Sequence, residues 1–327
     1  MKKVLLVMGT VLFLLVIACP TALFAEEPVT INYVTFVPRN HPISKVLGED
    51  LQEIQKRSGE KLKFNYRGGP ESVKIFTQAM AVKDGAVDMC ITSPDFTGKL
   101  LKGTGMLTLS KTPVQKHRET GAYDYLDGLY QKAGLKYLIM LPANQGDSLY
   151  LLSKKAIGKP SDFKGSSIAG TGIFDSIGPA LRMTPVAMQI PEQYTALERG
   201  LIDVARGGIN SIFTFKLYEV AKYFVKPGFG SLPANLFMNL EKWNSIPKDL
   251  QSLFVNSLYE LAPQAAVKQA KMDTELFDKM VQGGIKVVEF KGADREWYLK
   301  TVDSAIYEHQ SKDDPEVARK IFELTNK

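Results

Sequence analysis

The chain runs to 327 residues, with 41 Lys and Arg against 35 Asp and Glu, and its formal net charge of +6 drops by two to +4 without Lys2 and Lys3. The positive charges are dispersed, so no nucleic-acid footprint is visible, and the length suffices for two domains with their own cores. Cys19 and Cys90 are the two cysteines. With Cys19 in a leader, no internal disulfide is available and stability has to come from packing.

Lys2-Lys3, the apolar run over residues 4–18 and the small residues up to Ala25 read as a signal peptide over residues 1–25, directing export to the periplasm. The apolar run is too short and ends too abruptly to be read as a membrane span. Val16-Ile17-Ala18-Cys19 also resembles a lipobox, with cleavage before a lipidated Cys19. Pro20 fits that motif poorly, so soluble release is favoured.

Residues 29–36 alternate and are β-branched, which predicts a first strand. The turn cluster Pro38-Arg39-Asn40-His41-Pro42 leads to a helix over 43–58 and a strand over 62–66, which ends at Arg67-Gly68-Gly69-Pro70. A helix over 72–83 and a strand over 86–92 follow; Cys90, in that strand, reads as a small core hydrophobe. This β-α-β-α-β order predicts a parallel or mixed sheet covered by helices, with ligand-binding loops at the carboxyl ends of the strands. A long helix is predicted over 112–133 and a strand over 135–141, before residues 148–152 pass to a second unit. That unit alternates strands at 166–169, 186–188 and 202–205 with helices at 174–181 and 191–199, the latter with proline in its first turn. A helix over 211–224, an extended return over 230–239 and a long helix from the Ser245–Asp249 cap to about Gln282 come next. A strand over 286–290 and two helices complete the prediction.

One pattern occurs twice. Gln78 to Met89 (QAMAVKDGAVDM) and Thr195 to Asp203 (TALERGLID) each place a helical run before Gly-x-x-Asp, at Gly85 with Asp88 and at Gly200 with Asp203, and a strand-like run follows. Two such units predict two lobes built alike, facing each other across a cleft suited to a small molecule. The expected division is a first lobe over 26–147, a second over 148–229, a return to the first over 230–250, a connecting helix over 251–284 and a C-terminal segment over 285–327 packing on the lobes. Extended crossovers in place of a floppy tether imply hinge motion.

Searches for catalysis come back empty. There is no G-x-x-x-x-G-K-[ST] loop and no G-x-S-x-G elbow, and Gly170-Thr171-Gly172 lacks the third glycine of a dinucleotide fingerprint. The three histidines are far apart, so no histidine-based metal site is supported, and no catalytic residue or cofactor is expected. His117 and His309 lie in predicted helices beside Arg, Glu and Gln and read as surface residues. His41, in the turn after the first strand, reads equally as a helix cap, a packing residue or a ligand contact.

Several segments, in order and spacing, carry a resemblance. They are Thr35-Phe36-Val37-Pro38-Arg39-Asn40-His41-Pro42, Ala81-Val82-Lys83-Asp84-Gly85-Ala86-Val87-Asp88, Asp162-Phe163-Lys164-Gly165, Pro185-Val186-Ala187-Met188, the run Glu192 to Asp203, and Phe215 to Tyr223. The chain resembles the extracytoplasmic solute-binding proteins of tripartite ATP-independent periplasmic (TRAP) transporters, of the DctP family, over essentially the whole mature length. The resemblance implies an α/β, two-lobed periplasmic binding protein fold (type II-like), with mixed sheets flanked by helices, hinge strands and a long bracing helix. It implies a monomeric, non-enzymatic receptor that captures a small organic acid and delivers it to TRAP membrane permease subunits.

The chain departs from that family where the ligand is held. The usual carboxylate-clamping arginine falls at Ala169, a second common arginine falls near Ser148-Leu149, and the family's Val-Asp-Gly-x-x-x-Pro becomes Ile202-Asp203-Val204-Ala205-Arg206-Gly207-Gly208. A carboxylate in a cleft calls for charge-assisted hydrogen bonds, best from a guanidinium fork. Arg206, at a strand end before two glycines, is the first candidate replacement, against the alternative of a surface or ion-paired arginine. Arg67 and Arg39 follow first-lobe strands and are further candidates. Ser93 lies in the Thr92–Phe96 loop, which offers hydroxyls and an aromatic wall, and Phe174 is a second wall. Tyr194 matches a family tyrosine near the cleft but reads as readily as core, and Asn210 is an amide donor or a helix N-cap. Loss of the usual arginine also admits an uncharged or weakly polar ligand. An exported enzyme and a sensory binding protein are the remaining readings.

Overall fold

The computed structural model describes residues 27–141 and 147–327, so the expected leader and Cys19 lie outside the described residues. Alternation in the first segment becomes β1 (Val29–Thr35), whose Ile31 and Tyr33 are buried. There follow α1 (Pro42–Arg57), β2 (Leu62–Gly68), α2 (Gln78–Lys83), β3 (Met89–Thr92), α3 (Ala122–Lys132) and β4 (Leu135–Leu141). The chain continues through β5 (Tyr150–Ser153), β6 (Ser167–Gly170), α4 (Phe174–Ala180), β7 (Thr184–Ala187), α5 (Gln193–Glu198), β8 (Val204–Gly207), α6 (Ile209–Thr214), α7 (Leu217–Val220) and β9 (Tyr223–Lys226). It closes with β10 (Ala234–Asn239), α8 (Leu240–Asn244), α9 (Lys248–Gln282), β11 (Lys286–Glu289), α10 (Gly292–Ser311) and α11 (Pro315–Thr325).

Two mixed sheets result. The first has the order β2-β1-β3-β10-β4, in which β1 runs parallel to β2 and β3 while β10 runs antiparallel to β3 and β4. The second has the order β11-β9-β5-β8-β6-β7, with β6 parallel to β7 and β8 and with β5 antiparallel to β8 and β9. Every residue of β10 is buried, and the returning chain takes an interior place in the first sheet, between β3 and β4. Helix α9, with 35 residues and so about 50 Å long at 1.5 Å per residue, packs on both lobes. Its Phe254 ring lies 5.2 Å from Phe64 of β2, and its Phe277 ring lies 5.0 Å from Phe224 of β9.

The repeated Gly-x-x-Asp segments do the same job in both sheets. Gly85 and Gly200 take φ values of +75° and +73°, which glycine adopts without the steric cost of a side chain. The chain then turns so that the aspartate grips the neighbouring parallel strand. Asp88 N–H donates to Asn32 O at 3.0 Å, and Asp88 Oδ2 accepts from Asn32 N–H at 2.7 Å. In the second lobe Asp203 N–H donates to Ser167 O at 2.9 Å and Asp203 Oδ2 accepts from Ser167 N–H at 3.0 Å. Desolvation opposes ionisation of Asp203, but the bonds from Ser167 and the Lys155 ammonium outweigh it and hold the carboxyl below its usual range. Charge-assisted bonds of this type are worth about 1.5–3 kcal/mol. Asp88→Ala is therefore expected to cost about 2–3 kcal/mol in denaturant unfolding, and Asp203→Ala less, because its side chain stays 24% exposed.

Three predicted elements are corrected. The helix over 112–133 is only α3, preceded by a single 3-10 turn at Val114–Lys116, because Gly121 turns left-handed at φ +80° and interrupts the helical path. The helix over 211–224 breaks into α6 and α7 at Lys216, with φ +54°, and Tyr223, Phe224 and Val225 instead form a strand, as aromatic and β-branched residues favour. The helix over 72–83 is a 3-10 turn, Ile75–Thr77, followed by α2.

The histidines also differ from expectation. His117 is 0% exposed, its Nε2 lying 3.2 Å from Thr112 O, and His309 is only partly exposed. His117 closes the 3-10 turn Val114–Lys116 and is in no α-helix, and α10, which carries His309, packs against the 3-10 segment Thr104–Leu109, contacts that local sequence does not reveal. Burial pushes the pKa of His117, and likewise of His41, down to about 4. The folded state thus refuses a proton that the unfolded chain accepts below its ordinary value, and stability falls as pH drops from about 6.5 to 4. Asp50 and Asp273 oppose this: burial raises each to about 6, so they add stability as pH falls through that value. His117→Gln is expected to lose less stability than the wild type between pH 6.5 and 4, by up to roughly 3 kcal/mol in denaturant titrations. Equal acid slopes in the two proteins would contradict this assignment.

Candidate ligand-binding cleft

Strand β3 runs parallel to β1 in the first sheet and β8 parallel to β6 in the second, and the candidate site is built from residues at and just beyond their carboxyl ends. Arg206, in β8, is partly buried. Its N–H donates to Gln193 Oε1 at 2.9 Å, which fixes the backbone, and Gln193 is itself 0% exposed. Its Nε–H reaches Ala169 O at 3.4 Å, and its guanidinium carbon lies 4.5 Å from the centre of the Phe174 ring. Ile168 pairs with Val204 in the β6–β8 register, so Arg206 and Ala169 are near neighbours on adjacent strands. The Arg206 guanidinium therefore lies against the Ala169 backbone from the next strand.

Among the described residues no ion pair within 4.0 Å includes Arg206. Burial lowers its pKa to about 10, with Asp95 and Asp175 pulling the other way from beyond contact distance. Asp95 sits in the one-turn helix Pro94–Phe96 that follows β3 in the first lobe. Its residue is exposed, yet the surrounding protein raises the carboxyl's pKa by desolvation, against a 2.8 Å hydrogen bond from Gln310 Nε2 and the positive fields of His309 and Arg206. The last turn of α10 touches both lobes: Gln310 holds Asp95, and His309 Nδ1 lies 3.0 Å from Ser176 Oγ of α4. Beside Asp95, Phe96 packs on Phe36 at 6.0 Å and meets Phe76 edge-on at 5.3 Å. Phe76 is 52% exposed, which leaves an aromatic face open to solvent.

Of the residues singled out from sequence, Arg206 and Phe174 are brought together. Ser93 is buried at the start of the Asp95 turn. Arg39 is exposed and lies over the Tyr66 ring at 5.3 Å, and Arg67 is exposed on edge strand β2. No hydrogen bond, ion pair or ring contact of either reaches Arg206. Tyr194 flanks the core of the second lobe. His41 caps α1, its Nδ1 accepting from Ile43 N–H at 3.3 Å. Asn210 is not the N-cap of α6, a place taken by Gly208; its Nδ2 donates to Asp273 of α9. His41, Asn210 and Asp273 share a small cavity of about 50 Å³ between the lobes. That volume admits a water or two, far below the roughly 300–1,000 Å³ of sites for organic ligands. Sequence reading missed Gln193, His309 and Gln310, since the α10 residues join the cleft only through a fold-long path.

Two lobes with an ionic and aromatic cleft between them define a binding protein that takes up a solute. The family model for "Bacterial extracellular solute-binding protein, family 7" (DctP) matches residues 33–313. The chain belongs to that family, whose members bind solutes and are not enzymes. It is similar to the 2,3-diketo-L-gulonate-binding periplasmic protein YiaO of Escherichia coli K12, at 24% identity over 314 residues and 92% of each chain. A TRAP periplasmic solute-binding protein of Desulfovibrio salexigens with bound orotic acid has the same fold, with a TM-score of 0.79 at 19% identity over 91% of this chain and 97% of that one. Another, from Sulfitobacter sp. NAS-14.1 with bound β-D-galacturonate, has a TM-score of 0.75 at 17% identity over 90% and 99%. Among the described residues no helix is long and apolar enough to cross a membrane, and no group of three or more His, Cys, Asp or Glu is placed to hold a metal ion.

Proposed function

We propose that this protein is a periplasmic receptor that binds a small organic carboxylate between its lobes, through Arg206, and hands it to the permease of a TRAP transporter. The observation that carries the reading is the Arg206 guanidinium: partly buried, backed by Ala169 O and Phe174, and without a carboxylate partner in contact. A desolvated guanidinium gains most from a carboxylate ligand, whose two oxygens match its donors. Relatives agree in chemistry, since the bound solutes of similar proteins include orotic acid and β-D-galacturonate. Phe174 on one lobe and Phe96 with Phe76 on the other supply apolar walls for the remainder of the ligand. The protein acts as a monomer, and closure of the lobes is stabilised by ligand contacts from both sides.

A thermal-shift screen of organic acids and their primary amides on the mature protein tests this. An acid at a hundred times its Kd adds about 2.7 kcal/mol and raises Tm visibly. Stabilisation by amides but by no acid would overturn the carboxylate reading.

A further inference from the structure

The cavity between the lobes, about 50 Å³, is too small for an organic solute, so the lobes have to part before one can enter. The last turn of α10 resists that motion. Helix α10 leaves β11, the edge strand of the second sheet, and crosses to the first lobe. There its end is fixed. Gln310 Nε2 donates to Asp95 Oδ1 at 2.8 Å, and Gln310 lies so close over Gly105 that a β-carbon there would come 2.0 Å from its Oε1. Beyond it, Thr325 O of α11 accepts from the N–H groups of Lys111 and Thr112 at 2.9 Å each, tying the C-terminal segment to the same lobe. The neighbouring His309 reaches back to the second lobe, its Nδ1 lying 3.0 Å from Ser176 Oγ of α4. His309 and Ser176 are only partly buried, and beside them an open groove of about 750 Å³ runs between α4 and α10, lined by Ser176, Pro179, Trp297, Thr301 and Ser304. The bond can therefore break into water without dismantling a core.

We infer that His309 and Ser176 form a latch that holds the empty lobes together, with Gln310 and Gly105 seating its first-lobe side. This rests on the lobe closure proposed above and adds what resists opening when no ligand is bound. A single hydrogen bond between partly solvated groups biases a two-state equilibrium by about two- to tenfold. That is enough to favour the shut arrangement and weak enough for the cleft to open spontaneously. The latch thus sets how often an empty receptor opens to take in solute.

The test reads the free, full mature chain by single-molecule energy transfer, between dyes on cysteines placed at Lys56 in the first lobe and Glu198 in the second. Both positions are exposed, while Cys90 is buried and stays unlabelled. Ser176→Ala is expected to raise the ratio of open to shut molecules by about two- to tenfold. Gly105→Ala, which displaces Gln310 without touching the second lobe, is expected to move the ratio the same way. Ser176→Thr keeps the hydroxyl and the wild-type ratio. Ser304→Ala removes a hydroxyl of the same groove outside the bond and leaves the ratio unchanged. Equal ratios in Ser176→Ala and the wild type, or a shift of the same size in Ser304→Ala, would overturn the latch. Because no ligand is present, that failure leaves the carboxylate reading intact, and failure of every acid in the thermal-shift screen would leave the latch standing.

Discussion

Arg206→Met is expected to make the free protein more stable while abolishing its response to ligand. The guanidinium is held charged in a place where burial brings its pKa down from the ordinary arginine range to about 10. The folded state thus holds that proton less firmly than the unfolded chain, so the cost is fully present at neutral pH and fades only as pH rises through about 10 toward the ordinary arginine range. Converted at 1.36 kcal/mol per pKa unit, the cost is about 3 kcal/mol at most, and about 1–3 kcal/mol once partial solvation is allowed for. Methionine keeps much of the volume against Phe174 and removes the charge. In the liganded protein the balance reverses, since removing one partner of a desolvated, hydrogen-bonded charge pair costs about 2–5 kcal/mol of binding. Denaturant unfolding of the free variant, beside its thermal shift with the best acid, reads both effects. A variant that is destabilised when free and still responds to ligand would show that Arg206 serves the fold.

Phe237→Ala is the substitution expected to damage the fold most. Phe237 is 0% exposed on β10, the strand that returns from the second lobe to lie between β3 and β4 of the first sheet. Its ring meets Tyr130 of α3 at 5.2 Å, and its backbone pairs with Cys90 of β3 and Tyr137 of β4. Truncation leaves a cavity in the buried core of the lobe and costs about 3–5 kcal/mol, or roughly 10 °C of Tm. Ligand binding should weaken with it, because β3 carries the Asp95 turn. A Tm within a degree or two of the wild type would mean that β10 is not part of the first lobe's core.

What could be read from the chain and what could not divide along a physical line. Gly85 with Asp88 and Gly200 with Asp203 were visible because a left-handed glycine and a strand-gripping aspartate act within a few residues of each other. Arg206 was visible as a candidate for a similar reason, a charged residue at a strand end before two glycines, although the contact with Ala169 depends on strand register. The buried state of His117 was not visible. Its neighbours Lys116, Arg118 and Glu119 are polar, and only the packing of distant segments shows that this one side chain turns inward. Gln310 was hidden still more thoroughly, since it meets Asp95 across 215 positions of sequence. The break at Lys216 was missed because an apolar, helical spacing over residues 211–224 fits two short helices and a strand equally well.

The carboxylate clamp by Arg206 is tested most directly by calorimetric titration of the best organic acid and its primary amide into the wild-type protein and Arg206→Met. The expected result is an acid bound at least a hundredfold more tightly than its amide by the wild type, with that preference lost in the variant. An amide bound as tightly as the acid, or an acid preference that survives in Arg206→Met, would contradict it.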